Sequence, residues 1–152
     1  MDKIDRRMLQ ALKANGRLTV QELSAQVGLS PSPCSRRLKA LEEEGYIQGY
    51  CALIDERRVG FGVSVFVSVQ LDRQVDDALE AFETAVSGYP EVVDCWLMTG
   101  NRDYLLRIAT EDMADFERFL THSLTKIPGV ATIESSIPLR RVKFDICRAP
   151  AV

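Results

Sequence analysis

The sequence has very little histidine and no paired cysteines. His122 is its only imidazole, which leaves a histidine-based zinc site or a catalytic triad with almost no candidates. The four cysteines, at positions 34, 51, 95 and 147, are scattered, and no two have the Cys-x-x-Cys spacing of a zinc or redox site. We therefore expect no metal and no cofactor, and we interpret the cysteines as free thiols of a reducing compartment.

Long apolar runs are also missing. Charged residues fall within the first seven positions and no apolar segment follows them, so the pattern does not predict a signal peptide. The apolar stretches further along are interrupted by Ser, Gln or Asp well short of a membrane span. With 46% hydrophobic and 27% charged residues, the composition is that of a globular protein. We expect a cytoplasmic protein with no membrane partner.

The sequence has no overall excess of basic residues. Its net charge is −3, which taken for the whole chain argues against a nucleic-acid-binding protein. Residues 1–60, however, carry 10 Lys+Arg against 8 Asp+Glu, a balance of +2, whereas residues 61–152 carry 9 against 14, a balance of −5. The first part of the chain is therefore the basic part, and the total charge conceals this.

The first third of the chain has the pattern of three short helices. Apolar residues recur at helical spacing within 4–14, and Thr19 and Glu22 have the spacing of a capping box before the second helix. Ser30-Pro31 predicts an N-cap with proline at the first helical position, and Gly45 ends this third helix. Tight turns between such helices predict a helix-turn-helix domain, winged-helix-like, over residues 1–49.

The rest of the chain alternates between strand and helix patterns. Strands are predicted at Val63–Leu71, Val92–Thr99, Tyr104–Ala109 and Val130–Phe144, and helices at 75–87 and 112–126. This βαββαβ order predicts a ferredoxin-like domain over 63–152 and an α+β fold for the whole chain. Residues 50–62 are predicted to be a linker, with a short strand expected at Gln48–Leu53.

The third helix has a polar side that favours DNA contact. At about 100° per residue, Cys34, Leu38 and Leu41 share one side, and small hydroxylated and basic residues occupy the other. Helix-turn-helix proteins present the N-terminal part of this helix to base edges. The predicted DNA-facing residues are Ser30, Ser32, Ser35, Arg36 and Lys39, with Arg17 and Arg37 as further candidates. The alternatives are a merely solvated helix face and, for Arg37, an ion pair with a neighbouring carboxylate.

The predicted sheet has large apolar side chains on both faces. Alternation along the strands places Phe66, Trp96 and Met98 on the face opposite the helices. Exposed apolar groups of this kind favour an interface, so we expect a homodimer formed through this face. The alternative is that the two faces are inverted and these residues belong to the core.

The turn between the second and third predicted strands is rich in polar groups. Thr99-Gly-Asn-Arg-Asp-Tyr104 offers backbone amides, a guanidinium and a carboxylate, which together suit a zwitterion such as an amino acid. The alternative is an ordinary β-turn with no ligand.

The combined motifs resemble the Lrp/AsnC (feast/famine) family of transcriptional regulators. Asp2-Lys-Ile-Asp5-Arg-Arg-Met-Leu9 resembles the opening helix of that family. Gly16-Arg17-Leu18 and Glu22 to Pro31 resemble its helix-turn-helix, and Arg37 to Ile47 resembles its recognition helix and the exit from it. Thr99-Gly100 followed by Asp103-Tyr104 resembles the signature hairpin of its effector domain. The resemblance implies a sequence-specific DNA-binding protein that responds to an amino acid. It also implies dimers formed through the C-terminal domain, often assembled as four dimers around which DNA wraps.

The resemblance also implies an effector site. Carried over by position, that site includes Met98, Thr99, Gly100, Asn101, Arg102, Asp103 and Tyr104, closed by Ser135 and Ser136 of a neighbouring subunit. Asn101 and Arg102 occupy positions that vary within the family, so the identity of the effector stays open.

Two other functions are compatible with parts of the sequence. One is an amino-acid sensor whose helical domain binds protein rather than DNA. The other is a ferredoxin-like enzyme, which we do not expect because His122 lies in an amphipathic helix and Gly60-Phe-Gly62 lacks the rest of a dinucleotide fingerprint.

Overall fold

The computed structural model of the chain describes residues 1–145 and 147–151, and it divides the protein into two compact units. The first unit contains Met1–Leu53 together with the described residues that follow Val142, and the second contains Ile54–Val142. This grouping differs from the predicted boundaries in two places. The predicted linker is shared between the two units, and the end of the chain belongs with the helical unit rather than with the ferredoxin-like one.

The first unit is a bundle of three helices, α1 (Lys3–Ala14), α2 (Val20–Val27) and α3 (Pro31–Glu43). Within residues 1–53 the structure has no strand. The apolar sides of the helices meet in a small core of Met8, Leu12, Leu23, Val27, Cys34 and Leu41. The predicted capping box of α2 is confirmed, since the Thr19 hydroxyl accepts from the Glu22 N–H and the Glu22 carboxylate accepts from the Thr19 N–H.

The second unit is a four-stranded antiparallel sheet with two helices packed on one face. Its elements are β1 (Val63–Leu71), α4 (Asp76–Ser87), β2 (Val92–Leu97), β3 (Tyr104–Thr110), α5 (Met113–His122) and β4 (Val130–Ser136). The strands lie in the order β2-β3-β1-β4. The predicted βαββαβ order and the α+β class are therefore confirmed. None of the helices in the described residues is long and apolar enough to span a bilayer.

The core of the second unit lies between the sheet and its two helices. Val65, Val67 and Val69 of β1 point into it and are fully buried, and Phe82 of α4 and Phe116 of α5 cover them. Full burial of a side chain of this size contributes about 1.5–3 kcal/mol. The residues that alternate with these valines lie on the opposite side of the sheet, which we call the outer face.

Two predicted elements are wrong. Gln48–Leu53 forms no strand, and the regular structure in this region is a single 3-10 turn at Glu56–Val59. The last strand ends at Ser136 and not at Phe144. Pro138, which follows closely, has no N–H to donate to a neighbouring strand, and Leu139 is 98% exposed.

Candidate functional site

The outward side of α3 is as the helical pattern predicts. Ser32, Ser35, Arg36 and Lys39 are exposed, while Cys34 and Leu41 on the opposite side are buried. We call these four exposed residues the recognition surface. The structure also exposes the two predicted candidates that precede α2 and α3, Arg17 and Ser30. Ser30 occupies the N-cap position of α3, but its hydroxyl makes no capping hydrogen bond.

The charged side chains of the recognition surface are exposed to solvent. Lys39 lies 3.4 Å from the carboxylate of Glu43 one helical turn further on, and both side chains are well exposed. In the part of the chain that the structure describes, Arg36 has no ion-pair partner. The recognition surface therefore presents the cationic groups of Arg36 and Lys39 to solvent in the middle of α3, and the helix dipole favours an anion at its first turn, where Ser32 lies.

Arg37 differs from the other predicted DNA-facing residues because its guanidinium is engaged within the unit. Nη1 donates to Asp2 Oδ2 at 2.6 Å and to Asp5 Oδ1 at 2.8 Å. These bonds join α3 to the N-terminus of α1, where Asp2 also accepts from the Asp5 backbone N–H as the N-cap. The structure thus gives Arg37 the ion-pair role that was the alternative to DNA contact, and Arg37 fixes the position of α3.

The cap of α1 makes the stability of this unit depend on pH. The hydrogen bond from the Asp5 N–H and the Arg37 guanidinium lower the pKa of Asp2 below its ordinary value of 3.8. A carboxyl group whose pKa is lowered by folding stabilises the native state above its unfolded pKa, and this contribution is lost as the pH falls through the native pKa. We expect Asp2→Asn to be less stable than the wild type at pH 7 in urea unfolding, with a difference that shrinks below about pH 4.

The matched control for this prediction is Asp76→Asn, which removes an exposed carboxylate from the first turn of α4. Its unfolding is expected to follow the wild type more closely over the same pH range. A difference between Asp2→Asn and wild type that stays constant from pH 7 to pH 3 would contradict the prediction.

The β2–β3 hairpin, residues 98–104, borders a shallow cavity of about 460 Å³. The hairpin is closed by the Met98 N–H, which donates to the Asp103 carbonyl at 2.7 Å. Gly100 has a φ of +114°, a conformation that favours glycine. The cavity is lined by Met98, Thr99, Gly100, Asn101, Arg102 and Tyr104, together with Ser68 and Leu105. Six of the nine predicted effector residues are thus brought together at one place.

Asp103 points away from this cavity. It is 4% exposed, and its carboxylate accepts from the Leu71 N–H at 2.7 Å and from the Gln74 side-chain amide at 2.5 Å. Its own N–H donates to the Val69 carbonyl at 2.9 Å. Both carboxylate oxygens are therefore used to fasten the hairpin to the end of β1.

Tyr104 is also anchored from inside the unit. It is 1% exposed, its ring packs on Phe82, and its hydroxyl donates to Glu83 at 2.8 Å. Burial, followed by this hydrogen bond, raises the pKa of the phenol above its ordinary value. The hydroxyl therefore stays protonated at neutral pH and keeps the contact between the hairpin and α4.

Arg102 crosses the outer face from the hairpin to the opposite edge of the sheet. Nη1 donates to Gln70 of β1 at 2.9 Å, and Nη2 donates to Glu134 of β4 at 3.0 Å. The sequence analysis missed both partners, because they become neighbours of the hairpin only through the strand order β2-β3-β1-β4. The resulting pair places a cation and an anion side by side near the cavity.

Ser135 and Ser136 are not part of this cavity. They pair with Val67 and Phe66 of β1, several residues from the end of the sheet that carries the hairpin. Both are exposed, and within one chain the structure keeps them separate from the other predicted effector residues.

The outer face carries the apolar residues that the alternation predicts. Phe66 pairs with Arg107 and Trp96 pairs with Leu105, while the buried Val65 and Val67 point to the helices. The predicted assignment of the two faces is therefore confirmed. Trp96 is 44% exposed, so a substantial apolar area faces outward.

A largely covered arginine, Arg107, fastens the segment before β1 to the same face. The Arg107 guanidinium binds Glu56 and Asp94, each at 3.0 Å, and only 12% of its side chain is exposed. Burial lowers the pKa of Arg107, but the bonds to Asp94 and Glu56 outweigh this and raise it overall. The sequence pattern offered no signal for this network, since its members are far apart along the chain.

His122 makes only local contacts among the hydrogen bonds of the described residues. Its Nδ1 lies 2.9 Å from the Thr121 hydroxyl and 3.1 Å from the Arg118 carbonyl, and the ring is exposed. Within the described ranges, no group of three His, Cys, Asp or Glu side chains is placed to hold a metal ion.

Comparison with known proteins gives matches for both units. Residues 1–48 match a winged helix-turn-helix DNA-binding model, and residues 64–146 match the Lrp/AsnC ligand-binding domain model. The Bkd operon transcriptional regulator of Pseudomonas aeruginosa is 48% identical over 142 residues, 93% of each chain. The leucine-responsive regulatory protein of Escherichia coli K12 is 39% identical over 143 residues, 94% of this chain and 87% of that protein.

A solved structure agrees over the same extent. A transcriptional regulator from Neisseria meningitidis, crystallised as a complex with L-Met, is 42% identical and superimposes with a TM-score of 0.92, over 96% of this chain and 94% of that one. The matches span both units and preserve their order along the chain. The protein belongs to the Lrp/AsnC family of transcriptional regulators, with a helix-turn-helix DNA-binding unit followed by a ligand-binding domain.

Proposed function

We propose that this regulator recognises duplex DNA with the recognition surface of α3, supported by Arg17 and Ser30. The observation that carries this proposal is the exposure of Arg36 and Lys39 on the same side of α3 as the hydroxyls of Ser32 and Ser35. Arginine binds guanine through two hydrogen bonds, and serine binds bases or phosphates. The three glutamates at 42–44 repel phosphate, so the C-terminal end of α3 points out of the groove.

The test of this proposal is Arg36→Ala. We expect its operator affinity to fall about 10–100-fold, since a bidentate arginine–guanine contact contributes about 1–3 kcal/mol. A mobility-shift titration measures the affinity, and sedimentation checks that assembly is unchanged. Arg73→Ala removes an exposed arginine from the second unit and serves as the matched control.

An Arg36→Ala variant with wild-type operator affinity would refute this assignment. The salt dependence separates DNA binding from the rival reading, in which the helical unit binds protein. Binding to duplex DNA releases counterions and weakens steeply as salt increases. A wild-type protein without salt-dependent binding to duplex DNA would favour the rival.

The ligand of the second unit is, we infer, an amino acid bound at the β2–β3 hairpin. Thr99, Gly100 and Asn101 are exposed and carry backbone N–H groups of the kind that bind a carboxylate, and the Arg102–Glu134 pair adds one charge of each sign. The L-Met complex of the Neisseria regulator supports this ligand class. A thermal-shift screen of the twenty amino acids tests it, because a ligand that binds only the native state raises the apparent stability.

The same reasoning extends to assembly and location. The exposed apolar outer face supports a homodimer, and family resemblance supports four such dimers, in which Ser135 and Ser136 of a neighbouring subunit close the effector site. A dimer pairs two recognition helices and thus implies an approximately palindromic operator.

As a regulator of this family, the protein is proposed to act by binding and not by catalysis, and to be located in the cytoplasm.

A further inference from the structure

The C-terminal tail, residues 143–145 and 147–151 as described, is bound along α1. The Lys13 ammonium lies 2.8 Å from Asp145 Oδ1. Gln10 Nε2 donates to the Pro150 carbonyl at 3.0 Å, and an Arg6 guanidinium nitrogen donates to the Ala151 carbonyl at 3.3 Å. These contacts explain why the tail belongs to the helical unit rather than to the sheet from which it comes.

The three α1 residues form one stripe of the helix. Arg6, Gln10 and Lys13 are spaced by four and three residues, so their side chains lie on one face above one another. Asp145 meets the C-terminal end of α1, and the following residues meet earlier positions, so the tail runs antiparallel to the helix. Three contacts in this order, made by Asp145, Pro150 and Ala151, distinguish this arrangement from a single chance contact.

The bound tail does not cover the recognition surface. Asp145, Pro150 and Ala151 of the tail contact α1, and the four residues of the recognition surface remain exposed. The tail is therefore not a competitor for DNA. Its effect on α3 passes through α1, because Asp2 and Asp5 of α1 hold Arg37 of α3.

At its other end the tail is continuous with the sheet. Residues 137–142 join β4 to the tail, and β4 carries Glu134, the ion-pair partner of Arg102 in the β2–β3 hairpin. The two units are thus linked by the chain twice, once between Leu53 and Ile54 and once between Val142 and the tail. The second link runs from β4, whose Glu134 binds Arg102 of the hairpin, to α1, whose Asp2 and Asp5 bind Arg37 of α3.

We propose that the C-terminal tail is a positioning element that transmits effector binding at the hairpin to the recognition helix. This inference rests on the proposed function, because it needs both an effector and an operator. A change in the Arg102–Glu134 pair displaces β4, the tail passes this displacement to α1, and the Arg37 ion pairs pass it to α3. Removing the tail keeps the chain connection at Leu53–Ile54 and removes the second one.

The experiment compares four full-assembly proteins: the wild type, Asp145→Lys, the double exchange Lys13→Asp/Asp145→Lys, and a chain that ends at Phe144. L-methionine is the probe. Operator affinity is measured with and without it by mobility shift, L-methionine binding is measured by calorimetry, and hydrogen exchange reports on the amides of α1.

We expect the ratio of operator affinities with and without L-methionine, about 5–150-fold in allosteric proteins, to fall towards one in Asp145→Lys and in the shortened chain. The double exchange restores the ion pair with the two charges swapped. The logarithm of its affinity ratio is expected to be at least half that of the wild type. L-methionine affinity stays within about twofold of wild type in all variants, which separates lost transmission from a lost site.

Two outcomes overturn the inference: a wild-type ratio in the shortened chain, or hydrogen exchange of α1 that is unchanged when the tail is removed. The proposed function fails in a distinguishable way, as a wild-type protein that binds neither operator nor L-methionine. In that case the hydrogen-exchange comparison still decides whether the tail holds α1.

Discussion

Replacement of Asp103 with alanine is expected to lower the free energy of unfolding by about 2–4 kcal/mol and, as a consequence, to remove the response to the effector. The Asp103 carboxylate is 4% exposed and accepts from the Leu71 N–H and the Gln74 amide. Alanine leaves the Leu71 N–H at the end of β1 without its acceptor, and an unsatisfied buried donor costs about 1–3 kcal/mol in addition to the lost charged hydrogen bonds.

Urea unfolding measures this loss, and two further variants test its cause. Gln74→Ala removes the side-chain amide donor and keeps the hydrogen bond from the Leu71 N–H. The free energy of unfolding is therefore expected to fall less than in Asp103→Ala. Asn101→Ala, two residues away on the exposed side of the hairpin, is the matched control and should stay within about 0.5 kcal/mol of wild type. If Asp103→Ala were as stable as Asn101→Ala, the fastening role would be refuted.

The case of Asp103 shows what the sequence can and cannot predict at the effector site. The turn was evident from Gly100 and the flanking strands, and the cavity does lie there. The orientation of each side chain was not evident, because it depends on the register between β1 and β3, where Val69 pairs with Tyr104. The resemblance therefore pointed to a segment that borders a cavity, while the structure was needed to show which of its side chains face that cavity and which support the hairpin.

The fold shows a similar division between local and non-local information. β1 was predicted with the bounds it has, because its apolar residues alternate strictly and end at a turn. The tail has no such period, and its contacts with α1 connect residues about 140 positions apart, so no local pattern could predict them. The Asp2 cap of α1 could have been found, since Asp2 and Asp5 have the spacing of a capping box.

The second large effect concerns assembly. Replacement of Trp96 with glutamate is expected to weaken the proposed homodimer by about 100-fold or more in Kd, and sedimentation velocity should show a shift towards monomer. Trp96 lies on the outer face beside Leu105, 44% exposed in the single chain. A two-fold axis places the substituted residue in the interface twice, so two unpaired carboxylates lose their hydration when the faces meet.

Leu97→Glu provides an unusually close control for this experiment. Leu97 is the next residue of the same edge strand, is 60% exposed, and pairs with Tyr104, whose side chain points to the helices. The two variants add the same charge to neighbouring positions on opposite faces, so differences in net charge or in strand propensity largely cancel. If only Trp96→Glu dissociates, the interface lies on the outer face. If both variants dissociate equally, the cause is a general loss of structure. If Trp96→Glu remains a stable dimer, the interface lies on another surface. The first result also predicts weaker operator binding by Trp96→Glu with an intact recognition surface, because a monomer engages only one half of a palindromic site.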